Sequence, residues 1–172
     1  MKRTSIVGIF SIATMASVLM PLTVMGQQKS LKDQLVGTWI YVSSTAKRDD
    51  GSNVPRPSLQ GAVTYTADGR FHFITTRTDA PKYASGDLAR PSPEEAMAIA
   101  SGSIAYTGTY TVEGDKWTTT VDLSHNEILK RQPQVRYFKV DGDKLDVRTP
   151  EQENSTVGGK RAISTLEWVR EH

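Results

Sequence analysis

Leu35-Val36-Gly37-Thr38-Trp39 near the start of the chain and Leu166-Glu167-Trp168-Val169-Arg170 at its end decide the reading of the fold. The first is a glycine-x-tryptophan entry into a strand-like run, and the second is an arginine-bearing exit from one. Such a pair is what a small antiparallel barrel needs where its first and last strands meet. Arg170 shares a strand face with Trp168 and Leu166, because side chains alternate along a strand. Closure is therefore expected to lay the Arg170 guanidinium over the Trp39 ring.

Between these ends lie the other strand-like runs. Residues 39–46, 61–66, 70–76, 105–112, 116–123, 134–140, 144–147 and 161–170 are rich in β-branched and aromatic residues and bounded by turn formers. Three hairpin tips carry Asp68-Gly69, Glu113-Gly114 and Asp141-Gly142, where glycine supplies the positive φ of a tight turn. Eight strands joined in chain order predict an all-β fold, an eight-stranded antiparallel up-and-down barrel. At that strand number the interior is filled by side chains or holds one small ligand. Val54-Pro55-Arg56-Pro57 reads as a loop, and residues 151–160 as a polar loop before the closing strand.

One segment breaks the pattern. Ser92-Pro93-Glu94-Glu95 is a capping box with proline at the first helical position, followed by residues 96–100. Met97, Ala100 and Ile104 fall on one side, so this short helix is expected to cover a barrel opening. It is either a plain crossover or, with residues 78–90, a lid.

The first residues stand apart. Lys2 and Arg3 precede a mostly apolar run over 6–25, and no further charge comes before Lys29. Val24-Met25-Gly26 offers compact residues for signal peptidase, so residues 1–26 read as a secretory signal peptide and 27–172 as the barrel domain. A run of this length also suits a membrane anchor. Six Ser/Thr residues among residues 1–26 and the late Pro21 argue for cleavage, which leaves no integral membrane segment.

Removal of the leader leaves 19 Lys/Arg against 19 Asp/Glu, so the formal net charge falls from +2 to zero. No general pull on nucleic acid or anionic membrane follows. The chain has no cysteine, which removes disulfides, thiolate catalysis and zinc–thiolate sites. An exported domain without disulfides is expected in a bacterial periplasm or secreted.

In order and spacing, several stretches together resemble the bacterial and fungal lipocalin-like domain family. Besides the two terminal motifs they include residues 61–70, Tyr83-Ala84-Ser85-Gly86-Asp87, Pro93-Glu94-Glu95-Ala96, residues 105–110 and Gln134-Val135-Arg136-Tyr137-Phe138. The resemblance implies a lipocalin-related barrel and no one reaction. After Ser124 the family tends toward an apolar-Pro-Asn segment. Here it is His125-Asn126-Glu127-Ile128, which points to a different ligand choice if that strand end lines the pocket.

Chemical motifs are sparse. His72, His125 and His172 show no metal-ligand spacing, so no metal site is expected. There is no glycine-rich phosphate loop and no Gly-x-Ser-x-Gly elbow, and no cofactor is implied. Ser124 and His125 are adjacent and face opposite ways on a strand, so they cannot pair as nucleophile and base.

Polar residues on strands remain. If Lys139 faces outward, Arg136 and Phe138 face in. An inward arginine needs a partner, either a protein carboxylate such as Asp122 or Glu167 or the acid group of a ligand. Tyr106 and Tyr110 share a face, and His125 ends a strand with Val121 and Leu123 on its side. The expected ligand-binding set is Tyr41, Phe73, Tyr110, His125, Arg136 and Phe138. Three function classes follow. The first is an exported protein binding a small apolar or amphipathic molecule. The second is a cofactor-free isomerase, cyclase or hydratase using Tyr110, His125 and Arg136. The third is a structural or stress-related envelope protein with a filled core.

Overall fold

A computed structural model describes residues 29–130, 132–150, 152–154 and 160–172, so the leader assigned to residues 1–26 lies outside the described residues. The elements are α1 (Leu31–Leu35), β1 (Gly37–Arg48), β2 (Leu59–Tyr65), β3 (Arg70–Arg77), α2 (Pro93–Gly102), β4 (Ser103–Glu113) and β5 (Lys116–Ser124). A 3-10 turn (Glu127–Lys130) then leads to β6 (Gln134–Asp141), β7 (Lys144–Arg148), β8 (Gln152–Asn154) and β9 (Lys160–Arg170).

Sequential strands pair antiparallel from β1 to β7, β7 pairs with β9, and β9 pairs with β1. Eight strands thus close into the expected up-and-down barrel. The region read as a polar loop contains one further short strand, β8, which pairs with Lys160, Arg161 and Ala162 of β9. The three hairpin tips lie at one end, with Gly69, Gly114 and Gly142 at positive φ. All the long connections lie at the other end, so the barrel has one tight end and one wide end.

The tight end is sealed by α1, which the sequence reading did not contain. This helix is too short to be stable by propensity alone. Its N-cap Ser30 accepts from the Asp33 amide, and Leu35 is fully buried in the core. Trp39 Nε1 donates to the Leu35 carbonyl at 2.8 Å. The Arg170 guanidinium lies 4.1 Å over the Trp39 ring and donates to the Val36 and Gln34 carbonyls at 2.8 and 2.7 Å. One arginine therefore ties the last strand to the first ring and satisfies carbonyls at the end of α1 that the helix leaves free.

α2 forms as expected, with the capping box complete at Ser92 and Glu95. Its packing differs from the expectation. None of its residues is buried, and Met97, 68 % exposed, and Ala100 are both exposed, so the side expected to cover the barrel does not do so. The half-buried positions of α2 are Glu95, Ala96, Ala98, Ile99 and Gly102, and the cap at Ser92 and Glu95 holds its start. Glu95 accepts hydrogen bonds from the Ser92 and Ala84 amides, both at 2.7 Å, tying the 83–87 turn to the helix start.

Those two bonds, Ser92 first and then Ala84, hold the Glu95 carboxyl below the usual range. A lowered folded pKa means that this tie is complete above the ordinary carboxylate pKa and is lost as pH falls through the folded one. The Ala84 and Ser92 amide resonances should therefore move with Glu95 protonation in acid. Glu95→Gln should abolish that shared titration. Amides that stay still while Glu95 protonates would contradict the tie.

A candidate ligand cavity in the barrel interior

Inward-facing aromatics fill the barrel from the tight end. Tyr65 meets Tyr110 edge-on at 5.1 Å, Trp117 lies 4.9 Å from Phe138, and Tyr41 meets Trp168 edge-on at 5.3 Å. Filling stops partway along the axis. Beyond that level a cavity of ≈320 Å³ remains, lined by Phe71, Phe73, Tyr65, Tyr106, Trp117 and Trp168 among others. Ile104, Leu129, Thr149, Ser164 and Arg56 also line it, all from elements that begin or end at the wide end.

Of the six residues expected to bind ligand, Phe73 and Arg136 line this cavity. The other four lie outside its lining. Tyr110 is at the tight end, where its hydroxyl donates to the Thr66 carbonyl at 2.8 Å. Phe138 is buried behind Trp117, and Tyr41 packs on Trp168 with its hydroxyl donating to Ser44 Oγ at 2.7 Å. His125 stands on the outer face, with Nδ1 3.1 Å from the Ala105 amide nitrogen.

A bulge moves His125. Thr107 pairs with Leu123 and Gly108 with Val121, so Asp122 is an extra residue in β5. One extra residue reverses the facing of everything after it. Val121 is buried, whereas Leu123 is 64 % exposed and His125 follows it outward. A second bulge, at Val42 of β1, sets Ser44 and Ala46 inward in place of Ser43 and Thr45. Tyr110, His125 and Arg136 are consequently not brought together, and the acid/base trio expected for a barrel enzyme does not assemble.

Arg136 faces inward as predicted, with neither expected carboxylate as partner. Asp122 pairs with Arg70 at 3.1 Å across the outer surface, and Glu167 accepts from Ser43 Oγ at 2.7 Å. Arg136 donates to the Val135 carbonyl at 2.7 Å and to Gln134 Oε1 at 3.0 Å. Those bonds use two of the five N–H groups of a guanidinium. Among the described residues no carboxylate lines the cavity.

Several lining residues stand outside the expected ligand-binding set, Tyr106 among them although it shares a strand face with Tyr110. Burial pushes the Tyr65 phenol well up, with Tyr106 adding to the rise, and burial likewise raises Tyr106. The Arg136 charge opposes both rises, which puts it within electrostatic reach of both phenols. Both therefore stay protonated at neutral pH. Among the described residues neither hydroxyl has a hydrogen-bond partner. In the sequence Arg56 stands out only as part of the 54–57 loop. Its signal was local, an arginine between Pro55 and Pro57, whose fixed φ angles limit where it can point.

Tight hairpins and a sealed floor at one end, with a hollow aromatic interior at the other, define the class of closed up-and-down β-barrels with an interior chamber. The profile of the lipocalin-like domain family matches residues 36–171, and the chain belongs to that family. No curated protein matches the chain. An uncharacterized protein from Bacteroides eggerthii is structurally similar, with 11% identity and a TM-score of 0.38 over 80% of this chain and 99% of that one. EF1p2_mFAP2b bound to DFHBI is similar at 15% identity and a TM-score of 0.40, covering 80% of this chain and 94% of the other.

Proposed function

We propose that this protein is exported to the periplasm or beyond and binds one small apolar or amphipathic molecule inside its barrel. The observation that carries this reading is the ≈320 Å³ aromatic-walled cavity at the wide end. Its size and mostly apolar walls with a few polar groups suit a small-molecule site. A filled-core envelope protein would leave no such space. The leader-like residues 1–26 support export, and among the described residues no helix is long and apolar enough to cross a membrane.

Mass spectrometry of small molecules released from natively purified protein tests the reading. One recurrent compound at near-stoichiometric yield is the expected result. The walls supply a second readout. Trp117 and Trp168 line the cavity, whereas Trp39 is sealed at the tight end. An apolar probe such as N-phenyl-1-naphthylamine should quench tryptophan emission. Trp117→Phe and Trp168→Phe should together remove most of that quenching. Quenching that survives in the double variant would place the probe outside the barrel interior and count against the proposal.

A further inference from the structure

Both cationic side chains of the cavity have donors to spare. Arg56 Nε is buried and has no hydrogen-bond partner among the described residues. Buried donors in folded proteins are almost always paired, and an orphan one costs free energy until a partner arrives. Arg136 has unused N–H groups, and no described carboxylate lines the chamber that these two residues share. Two like charges in one concave, largely apolar site repel each other, and the low dielectric of the walls strengthens that repulsion. A neutral acceptor would pair with the orphan N–H and leave the charges uncompensated. An anion answers both.

The remaining polar groups agree. The free Tyr65 and Tyr106 hydroxyls are protonated phenols that can donate. The walls describe the rest of the ligand. Phe73 and Tyr106 stack at 4.7 Å with an interplanar angle of 25°, and Phe73 meets Trp168 edge-on at 5.8 Å. Flat rings in this arrangement favour a flat apolar body. The planar guanidinium fork fits a carboxylate or a similar oxyanion better than a spherical ion.

We propose that the chamber is an organic-anion site, in which Arg56 and Arg136 jointly hold the acid group of a small ligand with a flat apolar body. This rests on the interior-binding reading above, and the test separates the two. N-phenyl-1-naphthylamine and 8-anilinonaphthalene-1-sulfonate share one apolar body and differ by the sulfonate. Each is titrated into the ligand-stripped full-length protein, and competition between them establishes that they share a site.

The sulfonate should bind at least about tenfold more tightly than the neutral probe, as charge-assisted hydrogen bonds predict. Arg56→Gln and Arg136→Gln should each remove most of that preference while leaving neutral-probe affinity within about threefold. If either variant fails to fold, the wild-type protein still decides, through competition by 2-naphthoate against its neutral amide. The carboxylate should compete about tenfold better. A neutral probe that binds as tightly as the anion, or a preference that survives both substitutions, overturns the anion site and leaves interior binding intact. Failure of both probes to enter overturns both.

Discussion

Trp39→Ala should lower stability by about 3–5 kcal/mol, the usual cost of truncating a large buried aromatic. Arg170→Ala should cost about 2–4 kcal/mol, since it removes a partly desolvated cation–π contact and two charge-assisted hydrogen bonds. The two losses should not add. Trp39 supplies the ring beneath the guanidinium and also bonds the Leu35 carbonyl, while Arg170 holds the Gln34 and Val36 carbonyls next to it. Each residue therefore depends on the floor that the other helps to hold. A double-mutant cycle by chemical denaturation should show about 1–2 kcal/mol of coupling. Gly37 belongs to the same unit, because a Cβ there would lie 2.7 Å from Arg170 Nη1 at φ +130°. Strict additivity would mean that the stacked geometry contributes nothing and would sink this account of closure.

Gly108→Ala should cost about 3 kcal/mol or more, the upper part of the range for overpacking. A Cβ at that position would sit 1.9 Å from the Thr120 carbonyl oxygen, a backbone atom on the neighbouring strand. In an open sheet an edge strand can lean away. Here every barrel strand is paired on both sides, and the displacement must be absorbed around the ring. Gly142→Ala provides the control. That glycine has φ +59° with nothing within 4 Å of its added Cβ, so only the backbone penalty of about 1–2 kcal/mol applies. Denaturation midpoints in the reverse order would show that β4 and β5 are not held this closely.

Arg136 separates two readings of the interior. A structural ion pair would make Arg136→Gln cost about 3–5 kcal/mol, by stranding a buried carboxylate. No described carboxylate faces it, so the substitution should change stability by under about 1 kcal/mol and act on ligand affinity. Thermal melting beside the probe titrations distinguishes the outcomes.

By itself the sequence determined the elements whose causes are local. Strand identity follows from short runs of β-branched and aromatic residues, and the three hairpin tips follow from a glycine free to take positive φ at 69, 114 and 142. The α2 cap is written in Ser92-Pro93-Glu94-Glu95, four residues that need no distant partner to act. The terminal motifs also named the closing strands, because few arrangements leave both tryptophans inside and an arginine beside them. Facing could not be read in this way. It depends on pairing register, which is a property of two strands, and the bulges at Val42 and Asp122 reverse it midway along β1 and β5. Alternation counted along one strand therefore carried His125 inward when pairing turns it outward. The level at which core packing ends and the chamber begins likewise depends on rings from many strands meeting across the axis. Tertiary structure alone decided that Tyr110 belongs to the floor, that Arg136 has no described carboxylate beside it, and that Arg56 reaches the same chamber from a loop.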